Sequence, residues 1–173
     1  MPPKEEIFEV VDADDNVIGT AKRSECHRNP KLLHRTSGVL VFNSRGDVLM
    51  TKRSMLMDTN PGKWTISAWG HNSIGESYEA AAVRELKEEL GVTENVAVTF
   101  LLKTFLRAPY ESEITHIFKA VHEGPFRLDE REVAESRFYG IGELKKEMRT
   151  SPSKFTSGCI RVMEEYFRIA GVA

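Results

Sequence analysis

Apolar and polar residues alternate through most of the first half of the chain, the period of two that gives a strand one buried and one exposed face. FEVVDADDNVIGTAK (residues 8–22) reads as two short strands around an Asp/Asn turn at Asp14-Asp15-Asn16. Residues 37–53, SGVLVFNSRGDVLMTKR, predict a hairpin that turns through Asn43–Gly46. PGKWTISAWG predicts one strand, entered through Pro61-Gly62 and closed at Gly70. From Ser77 to Leu90 the period changes: SYEAAAVRELKEEL is rich in Ala, Glu and Leu, and Gly91 follows as a C-cap, so a helix is expected. VAVTFLLKTFLRA and EITHIFKAVH predict two long strands joined by APYES, and EVAESRFYG a shorter one. IGELKKEMRT predicts a modest helix, and the tail SGCIRVMEEYFRIAG an amphipathic one with Ile160, Met163 and Phe167 on one face. Strands interleaved with three helices imply an α/β sandwich, a mixed sheet covered by helices. No repeat or linker divides the sequence, so residues 1–173 read as a single domain.

One segment concentrates the chemistry: GHNSIGESYEAAAVRELKEELGV, residues 70–92. On a helix, Glu85, Glu88 and Glu89 stand at i, i+3 and i+4, within an arc of roughly 100°. Ala82, Val83, Leu86 and Leu90 fill the neighbouring arc and are expected to pin the helix to the sheet. Like charges so spaced repel, and a hard divalent cation such as Mg²⁺ or Mn²⁺ converts that repulsion into binding. Glu76 adds a carboxylate before the helix, and Arg84 flanks the acidic face, placed to orient Glu76 or a ligating carboxylate. Spacing alone leaves a solvated acidic face equally open.

The string itself resembles the signature of the Nudix hydrolases: Gly, five residues, Glu, seven residues, Arg-Glu-apolar, one residue, Glu-Glu, one residue, Gly-apolar. Gly70, Glu76, Arg84, Glu85, Leu86, Glu88, Glu89, Gly91 and Val92 fill every specified position. Chance coincidence of the fixed identities is on the order of 10⁻⁸ per starting position. The resemblance implies an α/β/α sandwich that cleaves a pyrophosphate linkage in a nucleoside diphosphate derivative or another small organic diphosphate. It also implies Mg²⁺ or Mn²⁺ held by Glu85, Glu88 and Glu89 with the Gly70 carbonyl, and support from Glu76 and Arg84. Glu85, Glu89 or a later carboxylate (Glu111, Glu113, Glu132 or Glu135) would serve as general base.

VVDADDNVIGTAKRSECH, LLHRTSGVLVFN and PGKWTISAWGH are similar to segments of type I isopentenyl-diphosphate isomerases, which share the Nudix fold. That resemblance implies a second divalent metal on His27, His34, His71, Glu111 and Glu113, a donor set suited to Mn²⁺ or Zn²⁺. The isomerases need a cysteine two residues before the histidine at position 71, where this chain has Trp69. They also tend to carry a degraded box, and this one is complete. The expectation is therefore an isomerase-like hydrolase, with isomerisation as the alternative.

Composition adds less. The 24 basic and 26 acidic residues nearly cancel, so no nucleic-acid polymer, membrane or acidic partner is announced. Residues 20–63 nevertheless hold nine basic and three acidic residues. Lys22, Arg23, Arg35, Lys52, Arg53 and Lys63 are thus candidates to grip phosphate, with Arg53 and Lys63 favoured because they flank the loop before the box strand. Trp69 is a candidate to stack on the substrate, and Trp64 a core residue. Met50, Met55 and Met57 are expected as core or loop contacts, and His116 and His122 as structural. Two cysteines, Cys26 and Cys159, give no disulfide framework, and MPPKEEIFEV lacks a signal-peptide layout, so a cytoplasmic protein is expected. The tail helix is a candidate homodimer contact.

Overall fold

The computed structural model describes residues 5–93 and 95–172, so the first four residues used in the reading of the N-terminus lie outside the described part. In chain order the elements are β1 (Ile7–Val11), β2 (Val17–Lys22), α1 (Arg23–Cys26), β3 (Leu33–Phe42), β4 (Val48–Arg53), β5 (Trp64–Ile66), β6 (Ala68–His71) and α2 (Tyr78–Leu90). There follow β7 (Thr99–Arg107), β8 (Ser112–Val121), β9 (Val133–Tyr139), α3 (Ile141–Thr150), a 3-10 turn at Pro152–Lys154 and α4 (Ser157–Ile169).

The ten-residue β3 organises the sheet. It runs parallel to β8 over its whole length and antiparallel to β6 from Thr36 to Val39. β7 extends this group by pairing with β8, and the β1–β2 hairpin joins it at Val10–His34. A second, antiparallel group, β9–β4–β5, hangs from the hairpin at Phe42–Val48.

Both faces of β3 are buried, and alternation divides them. Val39 and Val41 pack with Ala68, Ala82, Leu86 and Leu90, so α2 covers one face. Leu40 and Phe42 pack with Ile66, Leu144, Val162, Met163 and Phe167, so α3 and α4 cover the other. The result is the expected α/β/α sandwich with a mixed β-sheet.

Several local expectations are met by identifiable contacts. Ser77 Oγ accepts from the Ala80 amide at 3.2 Å and starts α2, and Gly91, at φ +66°, ends it. Two expectations need correction. PGKWTISAWG is two strands, because Ser67 leaves the ladder: its hydroxyl donates to the Leu49 carbonyl (2.6 Å) and accepts from the Val41 amide (2.8 Å). Val83 does not pin α2; it is 46% exposed, and Ala81 is buried in its place. In the tail helix Met163 and Phe167 are buried with Cys159 and Val162, and Ile160 sits at the edge of that cluster. Trp64 and Met50 are core residues, as expected. Met55 is 74% exposed.

Candidate active site

β6 carries the site on both of its faces. At Gly70 an added Cβ would stand 1.9 Å from Glu85 Oε1, so only glycine lets the strand approach that carboxylate. Its neighbours Trp69 and His71 point to the opposite face. The flanking backbone is used as well: the Trp69 amide donates to Glu89 Oε1 at 3.2 Å, and the His71 carbonyl accepts from Arg84 Nη2 at 2.8 Å.

Arg84 organises the carboxylates. Its Nε and Nη2 make a bidentate pair with Glu76 (2.9 Å each), and its Nη1 reaches Glu85 Oε1 (2.6 Å) and Glu88 Oε2 (3.0 Å). A fork with fixed donor directions can serve three carboxylates and a carbonyl at once, which an ammonium cannot do. Glu88 remains exposed, while Glu85 and Glu89 are buried. Burial pushes the Glu85 carboxyl up to about 7, against the pull of Arg84. Burial and then the charge of Glu85 hold Glu89 well above the ordinary carboxylate range. Hydrogen bonding to Arg84 holds Glu76 below it. Two buried, crowded carboxylates with raised proton affinity make a donor set that a hard divalent cation would satisfy, so these residues fit Mg²⁺ or Mn²⁺.

The second cluster lies on the other face of β6. His27 ends α1, His34 is on β3, His71 on β6, Glu113 on β8 and Glu111 in the β7–β8 turn. One nitrogen from each of the three histidines lies within 4.8 Å of the others, and His27 Nε2 and His71 Nε2 are 3.0 Å apart. His34 Nε2 is 3.8 Å from Glu113 Oε1, and His27 Nε2 is 3.7 Å from Glu111 Oε2. The Leu32 carbonyl can only accept, so at 3.0 Å it fixes the proton of His34 on Nδ1 and leaves Nε2 as a lone pair. That nitrogen is buried and has no hydrogen-bond partner among the described residues, which is the chemistry of a metal ligand. Burial lowers all three imidazoles, His27 to about 4, and raises Glu113 to about 8. Neutral imidazoles fit a borderline cation such as Zn²⁺ or Mn²⁺. Phe8, which sequence reasoning missed, stacks on the His71 ring at 4.2 Å and 9°.

Both clusters open into one cleft of about 540 Å³. Of the cationic candidates, Arg53 and Arg23 line it and Lys63 does not. Arg53 is half-buried, with Nε and Nη2 on the carbonyl and hydroxyl of Thr59, and Lys63 contributes its carbonyl to the Arg53 amide. Arg35 is held by Glu9 and Asp15, Lys22 by Glu5 and Lys52 by Glu135, all away from the cleft. Glu132 lines the cleft and Glu135 does not; burial raises the Glu132 carboxyl, helped by Asp129 and Glu88. Trp69 lines the wall, and Arg161 and Gly158 of α4, both unforeseen from sequence, complete it. Their signal is long-range packing, which no local pattern carries. His116 stacks on Tyr78 at 3.7 Å, outside the cleft. No helix among the described residues is long and apolar enough to cross a membrane.

Comparisons with known proteins agree with this geometry. Residues 32–159 match the model of the NUDIX domain. The chain is 31% identical over 164 residues to an isopentenyl-diphosphate Delta-isomerase of Serratia proteamaculans, covering 93% of this chain and 91% of that one. It is 33% identical over 147 residues to an uncharacterized Nudix hydrolase of Pseudomonas aeruginosa, covering 85% and 86%. In fold it is similar to a Deinococcus radiodurans protein of known crystal structure, with a TM-score of 0.81, 18% identity and coverage of 92% and 98%.

Proposed function

The chain belongs to the Nudix family, and from that premise we propose that it is a Mg²⁺-dependent hydrolase of a pyrophosphate linkage in a small organic or nucleoside diphosphate. The observation that carries this reading is the Arg84 fork, which gathers Glu76, Glu85 and Glu88 beside the buried Glu89 at the wall of the cleft. When bound by Glu85, Glu88 and Glu89, Mg²⁺ would polarise the phosphate oxygens, offset developing charge and acidify an attacking water.

The chain's own groups do the rest. Arg84 orients the ligating carboxylates, and the Trp69 amide fixes Glu89. Arg53 and Arg23 present positive charge to a diphosphate inside the cleft. The water's proton passes to a carboxylate of the site: Glu132, Glu111, Glu113 and Glu85 line the cleft, Glu89 is buried beside Glu85, and Glu135, outside the cleft, is set aside. The His27/His34/His71/Glu111/Glu113 cluster would hold a second divalent ion.

That cluster also supports a second reading, isopentenyl-diphosphate isomerisation, the activity named for the Serratia relative. The thiols disfavour it. Cys26 and Cys159 are fully buried, neither lines the cleft, and burial pushes the Cys26 thiol up to about 11. Incubating the purified protein with a panel of nucleoside, sugar and alkyl diphosphates, with and without Mg²⁺, tests both. Metal-dependent release of phosphate products supports hydrolysis; cleavage that persists in excess chelator overturns it. Conversion of isopentenyl diphosphate to its allylic isomer, with no cleavage of any panel member, would establish the second reading instead.

A further inference from the structure

The loop of residues 72–77 carries Glu76 from β6 to α2, and its tip has little packing to hold it. Ser73, Ile74 and Gly75 are all exposed, and Gly75 turns at φ +73° with open space where a side chain would stand. Hydrogen bonds therefore fix its path. Within the loop, the Ser73 amide donates to Glu76 Oε2 at 2.9 Å. From outside, the Gly75 amide donates to Glu9 Oε1 on β1 at 3.0 Å. At the base of the loop, the buried Asn72 accepts from the Ser37 hydroxyl of β3 at 2.9 Å.

Glu9 is itself held in place. Arg35 Nη1 donates to its other oxygen at 2.9 Å. The same guanidinium reaches Asp15, with Nε on the carboxylate at 2.7 Å and Nη2 on the carbonyl at 2.6 Å. Asp15 in turn accepts from the hydroxyl of Tyr78, the first residue of α2, at 3.0 Å. The Tyr78 ring stacks on His116 of β8 at 3.7 Å. One arginine thus holds the acceptor for the loop tip and the acceptor for the helix start, on either side of Glu76. The side chains of Arg35, Glu9 and Asp15 are only 19%, 13% and 17% exposed, so solvent screens these pairs less than it screens surface ones.

We propose that Arg35 is a positioning residue for the carboxylate cluster: through Glu9 and Asp15 it clamps both ends of the segment from Gly75 to Tyr78, keeps Glu76 against Arg84, and so holds Glu85 and Glu88 in the arrangement that receives Mg²⁺. This deepens the hydrolase reading and rests on it for the identity of the metal ligands. The clamp lies outside the cleft, so it acts only through the Glu76–Arg84 pair.

The test compares Glu9→Ala, Arg35→Lys and Tyr78→Phe with the parent, each as the full chain. Titration calorimetry with Mg²⁺ alone reads ion affinity, hydrogen exchange reads the loop, and a Mg²⁺ series with a diphosphate reads the half-activating concentration. Glu9→Ala removes the acceptor of the Gly75 amide. It speeds exchange in the loop and lowers Mg²⁺ affinity by roughly 10-fold, the lower end of the loss when a group that orients a metal ligand is removed. Arg35→Lys keeps the charge but cannot span Glu9 and Asp15, and it does the same. Tyr78→Phe keeps the stack on His116 and loses one hydrogen bond, which weakens Mg²⁺ by roughly 2- to 5-fold. Excess Mg²⁺ restores kcat in all three. In a Glu76→Gln background, where the clamp has no charge left to position, Glu9→Ala adds less than about twofold. Additive losses there overturn the proposal, and so do variants that melt lower yet keep the parent's Mg²⁺ affinity and half-activating concentration. Thermal melts identify any variant that fails to fold; should Glu9→Ala or Arg35→Lys be one, Tyr78→Phe and its cycle with Glu76→Gln decide the question. Clamp-dependent Mg²⁺ affinity in a protein that cleaves no diphosphate would remove the hydrolase reading and leave the clamp standing. Metal-dependent cleavage with an Mg²⁺ affinity indifferent to the clamp would do the reverse.

Discussion

The two faces of β6 hold two clusters of ligand-type residues built on opposite plans. On one, four carboxylates come from a single helix and the loop before it, and one guanidinium reaches three of them. On the other, five residues converge from α1, β3, β6, β8 and the β7–β8 turn, with a Phe8 ring stacked on one of them and no cation among them. The first cluster is partly wet and tied together by ion pairs to Arg84; the second is drier, its histidines stacked with one another and with Phe8. Oxygen donors around Arg84 suit a hard ion that exchanges with substrate, and imidazoles, that of His34 fixed by the Leu32 carbonyl, suit a borderline ion that stays. Strand β6 joins them residue by residue, since Trp69, Gly70 and His71 each contribute to one cluster or both.

The most damaging way to break this pairing is to remove an oxygen donor. Glu88→Gln and Glu89→Gln should each lower diphosphate cleavage by roughly 10³-fold or more, the scale on which loss of an acting group is felt. Arg84→Lys, which keeps the charge and loses the fork, should weaken Mg²⁺ activation by about 10- to 100-fold. Steady-state kinetics across a Mg²⁺ series would show both. Near-normal rates for Glu89→Gln would mean that the buried carboxylates serve the fold alone.

Acidity separates the clusters next. Glu85 and Glu113 are buried carboxyls raised to about 7 and about 8, so the folded chain binds their protons more tightly than the unfolded chain does. Stability from that source is full below the ordinary carboxylate range and is lost as pH rises through those values. The lowered imidazoles act the other way only below about pH 6.5, where the unfolded histidines take up protons, so the metal-free protein should melt roughly 5–10 °C lower at pH 8.5 than at pH 6.5. Divalent cation, which binds the ionised carboxylates, should raise the melting temperature more at the higher pH. A melting temperature that climbs from pH 6.5 to pH 8.5 in chelator would contradict the raised values.

What was legible in the sequence divides along the same line. The carboxylate helix was readable from its first residue to its last, because Ser77, the i, i+3, i+4 acids and Gly91 act within one stretch of chain. Even there the buried stripe was placed one position off, at Val83 instead of Ala81, since the sheet and not the helix decides which flank is covered. The histidine cluster could be named only by resemblance: His34, His71 and Glu113 meet through the β3–β6 and β3–β8 registers and His27 joins them from the end of α1, which no local pattern encodes. The break at Ser67 and the close approach of Gly158 to the Trp69 ring were illegible for the same reason, each being set by a contact with a distant strand or ring. Charge counting picked out Arg53, which lines the cleft, together with Lys63, which does not, because proximity along the chain does not say which side of a strand end faces the cleft.

Metal content sharpens the contrast more gently. Protein purified without chelator should carry about one equivalent of Zn²⁺ or Mn²⁺ on the imidazoles, and His34→Ala, which removes the orphaned Nε2, should lose it by elemental analysis while Glu88→Gln should not. Loss in both variants would make the two clusters a single site.

The smallest effect expected separates two neighbouring cations. Arg53 and Lys63 are joined by a backbone hydrogen bond of 2.9 Å, yet only Arg53 lines the cleft. Its guanidinium is fixed by Thr59 and faces a space it shares with the carboxylates, so Arg53→Ala should raise KM for a diphosphate by about 10-fold or more, the loss of a charge-assisted contact. Lys63→Ala leaves the backbone bond in place and removes a side chain outside the cleft. It should change stability by less than about 0.5 kcal/mol and KM by less than about twofold. Equal losses in the two variants would show that long-range field, and not contact within the cleft, holds the diphosphate, and a matching fall of both effects with added salt would confirm that alternative.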